Sequence, residues 1–140
     1  MPVAPGDVVR LFLHVTKPPK IKRCVVACLE PSPILLLINS EINALLLKNE
    51  ELRALQVLID TANHDFMSRD SWIDCSQQFG YPVEWLRREI QNDPRQLLGT
   101  ISETTRREII ACVTNSRILS PKKKCQIIDG LTSQGDEADE

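Results

Sequence analysis

Residues 34–41 read Ile-Leu-Leu-Leu-Ile-Asn-Ser-Glu, ILLLINSE: five apolar residues that stop on an amide, a hydroxyl and a carboxylate. A short apolar run bounded by turn-forming residues reads as a strand built for burial. Its polar end can be a rim that holds side chains rigidly at the edge of a core, or a plain turn. The flanking sequence decides what kind of sheet the strand joins.

Immediately upstream, CVVACLE (24–30) is a second β-rich run, and Pro31-Ser32-Pro33 supplies a short rigid connection, so the two form a hairpin. Farther upstream, DVVRLFLHV (7–15) alternates. Val9, Leu11 and Leu13 fall on one face, with Arg10, Phe12 and His14 on the other, and Gly6-Asp7 turns the chain in front. Thr16–Lys20, TKPPK, breaks pairing because proline has no N–H to donate. Downstream, INALLLKNEELRAL (42–55) mixes helix-suited leucines with Asn43 and Asn49, and a short helix is expected over 49–55. QVLID and SWIDCS follow as strands on either side of the polar loop TANHDFMSRD.

After Gly80 the period changes from two to 3.6. YPVEWLRREIQND carries Pro82 near a helix start and halts at Asp93-Pro94. SETTRREIIACVTNS, opened by GTIS, has Ser102 as N-cap and Ile109, Ile110 and Val113 as a buried stripe. SPKKKCQIIDG has a cap serine, proline at the first helical position and Gly130 just beyond the end. Strands first and helices second predict an α+β fold. Residues 1–131 make a single domain, strand-rich over 5–78 and helical over 81–131, and 132–140 form a disordered acidic tail. Connections between the early strands are too short for parallel crossovers.

The chain has 140 residues, of which 42% are hydrophobic, enough for one real core. A net charge of −2 gives no overall basic field, so nucleic-acid binding would have to rest on a local patch. Five cysteines without a CxxC pair suit a reduced cytoplasmic protein. Cys24 and Cys28 would share a strand face, but no second pair or ligand-spaced histidine accompanies them, so no metal and no cofactor is expected. The N-terminal residues lack a secretory pattern, and the longest apolar run is far too short to span a bilayer. Phosphate-loop, GxSxG and HExxH motifs are missing.

One set of short motifs occurs in a telling order: GDVV, a proline-bearing loop, an arginine just before an apolar strand in KRCVVAC, a strand ending on a hydroxyl in LLLINSE, and GTIS opening a helix. In this the chain resembles the MazF/PemK toxin family. The resemblance implies a small antiparallel SH3-like β-barrel followed by C-terminal helices. It further implies a homodimer, an antitoxin partner and metal-independent endoribonuclease action on single-stranded RNA. Carried over residue by residue, it makes Arg23 the group for acid–base chemistry and transition-state charge, and Ser40 the residue that positions the phosphate. WIDCSQ departs from the family pattern, placing Asp74 and Ser76 where some members carry arginine and aspartate. An acid at 74 facing the site would oppose phosphate binding. The alternative is therefore a barrel without catalysis that binds protein or nucleic acid.

The residues themselves add candidates. Asn39 closes the strand beside Ser40, and Lys17, Lys20 and Lys22 form a basic run that could grip an RNA backbone, although solvated loops look the same. His64 beside Asp65 is the best independent general acid or base. Arg69 in the same loop is a further substrate contact, or else pairs with Asp70 at the surface. His14 and the central aromatics Phe66, Trp72, Phe79, Tyr81 and Trp85 read as structural. Lys122–Lys124 read as a solvated face.

Overall fold

A computed structural model describes residues 3–138, with side chains up to residue 132. The fold is α+β, a curled six-stranded antiparallel half-barrel with helices against it. Strands β1 (Asp7–Leu13), β2 (Lys20–Cys28) and β3 (Ile34–Asn39) are followed by two short helices, α1 (Ala44–Lys48) and α2 (Glu50–Arg53). Then come β4 (Gln56–Ile59), β5 (Ser71–Asp74), α3 (Val83–Asn92), a single 3₁₀ turn (Pro94–Gln96), β6 (Leu97–Thr100), α4 (Glu103–Asn115) and α5 (Pro121–Ala138). The strand order is β4-β5-β3-β2-β1-β6. No helix of the described residues is long and apolar enough to cross a membrane.

The continuous apolar run of β3 has its explanation in burial on both faces. Leu36 and Ile38 point with Val25, Val57, Ile59 and Ile73 into a core closed by Ile109 and Val113 of α4 and by Ile127 and Leu131 of α5. Leu35 points the other way, with Val9, Leu11, Leu13, Cys24 and Val26, against Leu86 and Ile90 of α3. With a period of two, a strand packed on both sides must be apolar at every position. On β1, beyond Val9, only Leu11 and Leu13 are buried, so the strand alternates, and Arg10, Phe12 and His14 are exposed.

Several expectations are corrected. Asn43 and Asn49 do not interrupt a helix but start two: their side chains accept from Leu45 N and Leu52 N, so helix begins at Ala44, ahead of the expected 49–55. Leu97–Thr100 is a strand against β1, a segment of four residues that local pattern alone does not mark. Cys24 and Cys28 lie on opposite faces because the β2–β3 register shifts between Val26 and Cys28; that bulge turns both Ala27 and Cys28 toward the α4/α5 face. Gly130 does not end α5, which continues to Ala138 through most of the segment expected to be a disordered tail. Its role is close approach: a Cβ there would sit 2.2 Å from Ala27 O, on the bulge of β2.

Candidate functional site

Strand alternation distributes the polar residues at the ends of β2 and β3 between the two faces. Residues 21 and 23 share the face of Val25, and Ser40 shares that of Ile38; Lys20, Lys22 and Asn39 lie on the face of Cys24 and Leu37. The core on the α4/α5 face stops at Ile38 and Met67. Past it opens a cavity of about 380 Å³ lined by Arg10, Arg23, Arg69, Ser40 and Ser71, with Lys22 at its border. No acidic side chain lines it.

Each arginine arrives from a different element. Arg10 and Arg23 are directly opposed across the β1–β2 ladder, and Arg69 comes from the loop that leads into β5. Like charges directly opposed on a sheet destabilise it. Among the described residues, none of the three is in an ion pair. Asp70, the neighbour that could neutralise Arg69, instead accepts from Thr61 N at 2.8 Å. Arg10's charge reaches Asp93 only as the smallest of the effects holding that carboxyl low, behind its hydrogen bond to Arg95. The Nε of Arg23 is buried without a hydrogen-bond partner, a cost of about 1–3 kcal/mol by analogy with other orphaned donors. An uncompensated arginine cluster around a concave space can hold an anion, and the guanidinium fork suits the oxygens of a phosphate.

His64 is not part of this cavity. It is 1% exposed, and both ring nitrogens are engaged. Nε2 accepts from Ser102 N at 3.0 Å, so Nδ1 carries the proton and donates to Asp60 O at 2.8 Å. The ring thereby fastens the loop 60–70 to the start of α4 and leaves no free nitrogen for acid–base work. The residue expected to assist Arg23 and Ser40 is thus placed outside the cavity that they line. The site residues that the sequence reading passed over are Arg10 and Ser71. Arg10 was legible only as an exposed residue of β1, and its significance rests on the register that puts it opposite Arg23.

A second and larger hollow, about 900 Å³, lies on the other face between β3 and α1. Lys20, Lys22 and Asn39 line it together with Glu41 and Asp74, so its charge is mixed. Lys22 Nζ donates to Asn39 Oδ1 at 2.7 Å, and burial, then the charge of Lys20, lowers the ammonium's pKa. Lys17 is exposed in the β1–β2 loop and lines neither space. Asp74 is buried here, accepting from Gln56 Nε2 and Ser76 N at 2.9 Å each and from Ser76 Oγ at 2.5 Å. Its charge is therefore on the side of the sheet away from the arginines.

Comparison with protein-family models, with curated proteins and with solved structures finds no match to this chain.

Proposed function

We propose that the protein is a MazF/PemK-like endoribonuclease that binds a backbone phosphate of single-stranded RNA in the Arg10–Arg23–Arg69 cavity. Cleavage proceeds by attack of the adjacent 2′-hydroxyl, without a metal. The observation that carries this reading is three unpaired arginines and two serine hydroxyls around one concave space with no carboxylate. Such donors bind the ground-state phosphate and stabilise the charge that builds on its oxygens as the new P–O bond forms. Arg23 and Ser40 are the two residues the resemblance singles out, and Arg10 and Arg69 supply the positive charge that WIDCSQ lacks. The SH3-like form of the half-barrel, the dimer and an antitoxin partner belong to the same proposal.

A specific observation favours a second reading, RNA binding without cleavage: the cavity holds no histidine or carboxylate to take the 2′-hydroxyl proton. In the first reading this proton passes to solvent water, because a guanidinium is already charged and has no lone pair to accept it, and Arg23 acts on the phosphate charge alone. Labelled single-stranded RNA incubated with the protein and a chelator separates the two. Cleavage leaving 2′,3′-cyclic phosphate ends, reduced about 100-fold or more in Arg23→Ala, supports the enzyme. Retained binding with intact RNA supports the second reading, and absence of both overturns the site.

A further inference from the structure

Beyond the arginines, the β1–β2 ladder runs against the usual grading from core to solvent. Along its α4/α5 face the cross-strand pairs are Val8 with Val25, then Arg10 with Arg23, then Phe12 with Ile21. The valine pair is sealed in the core, and the arginine pair stands where the core ends. The outermost pair is apolar again yet open to solvent, with Phe12 45% and Ile21 53% exposed. Single exposed apolar residues are ordinary on a protein surface. Among the described residues, however, no other two exposed large hydrophobic side chains face each other across a ladder. This pair also adjoins a charged space, since Ile21 lines the arginine cavity together with Arg23. His14 packs on Phe12 edge to face, with ring centroids 5.1 Å apart and planes at 79°. That contact steadies the Phe12 ring and occupies at most one of its two faces.

We infer that Phe12 and Ile21 form a stacking platform for an unpaired base next to a phosphate held by Arg10, Arg23 and Arg69. This role rests on the reading of the arginine cavity as a phosphate site, and it supplies what that cavity lacks, a contact to the base. Two residues along a strand span about 7 Å. A strand anchored by a phosphate between the arginines therefore carries the adjoining base over the Phe12–Ile21 pair. An anion site and an apolar ring one step apart match a polymer in which charge and aromatic faces alternate, and it is this continuity that favours single-stranded nucleic acid as the occupant. Every base has a π-face, so the platform binds without a sequence preference of its own. In a duplex those faces are stacked on one another and out of reach, so the platform selects unpaired strands.

The test compares binding of the full-length protein to two strands with equal numbers of phosphates: 2′-O-methyl oligo(A), which 2′-hydroxyl attack cannot cleave, and an abasic strand of the same length and backbone. Wild-type protein should bind oligo(A) about tenfold or more tightly than the abasic strand. In Phe12→Ala that advantage should disappear, while affinity for the abasic strand and the salt dependence of binding change by less than about twofold. Phe12→Leu keeps an apolar partner for Ile21 but has no π-face, and should bind like Phe12→Ala; Phe12→Trp should bind like wild type. Arg23→Ala should weaken both strands alike. Phe12→Leu with wild-type affinity for oligo(A) overturns the platform, and loss of binding to both strands in Arg23→Ala would then leave the phosphate site standing. A Phe12→Ala variant that dissociates from a dimer in sedimentation, with its affinity for oligo(A) unchanged, assigns the apolar pair to a second copy and overturns the platform equally. If wild-type protein binds neither strand, the phosphate reading fails and the platform with it.

Discussion

Arg10 and Arg23 share one cross-strand position, and the fold gains nothing from placing them there. On the proposed reading, their opposition sets stability against RNA binding. Arg10→Ala should raise the denaturant midpoint by an amount equivalent to a few tenths of a kcal/mol, about what relief of one like-charge pair provides. The same substitution should weaken single-stranded RNA binding and reduce the slope of log K against log salt by about 0.7. A variant that loses stability and keeps its RNA affinity would contradict this assignment. His64 is the opposite case. His64→Ala removes two buried hydrogen bonds and opens a cavity, so chemical denaturation should show a loss of about 3 kcal/mol. Cleavage or binding per folded molecule should stay at the wild-type level, since the ring does not reach the arginines.

Among the elements, α5 and α4 give predictions that run against simple propensity. Alanine is a better helix former than glycine by about 1 kcal/mol, yet Gly130→Ala should destabilise by about 2 kcal/mol or more, because its Cβ meets backbone and not a movable side chain. An increase in the unfolding midpoint would disprove the close packing of α5 on the β2 bulge. In α4 the first turn combines the Ser102 cap with Glu103, whose carboxyl is held below its ordinary range by Arg106 and then by Arg107, the latter at 3.2 Å. Because the folded pKa is the lower one, this stabilisation is complete above the ordinary value of 4.5 and is lost as pH falls through the depressed value. Acid titration of stability should therefore show a shallower decline below that pH in Glu103→Gln than in wild type.

For the whole molecule, the sheet acts as a partition between an arginine-lined face and a mixed-charge face. Asp74 tests it. Its carboxylate is within the same short strand as Ser71, and a reading from sequence expects it to repel phosphate if it faces the site; alternation puts it on the far face. Asp74→Asn should lower stability by about 1–3 kcal/mol through its buried hydrogen bonds, while RNA affinity per folded molecule changes less than about twofold. A large gain in affinity would show that Asp74 is electrostatically part of the arginine cavity.

The sequence by itself determined most of the elements, because their signals are local. Alternation in Asp7–Leu13, the prolines between β2 and β3, and the caps at Ser102 and Ser120 depend on residues only a few positions apart. It also marked Arg23, Ser40 and Arg69, which the fold gathers in one cavity. Tertiary structure alone decided the rest. β6 exists because β1 offers it a ladder, and Gly130 is needed because β2 bulges beneath α5. Arg10 joins the site and His64 leaves it through contacts with residues 13 and 38 positions away, and Asp74 is removed from the site by the facing of its strand. Local pattern sets which way neighbouring side chains alternate; only the pairing of distant segments fixes which face becomes core and which becomes the site.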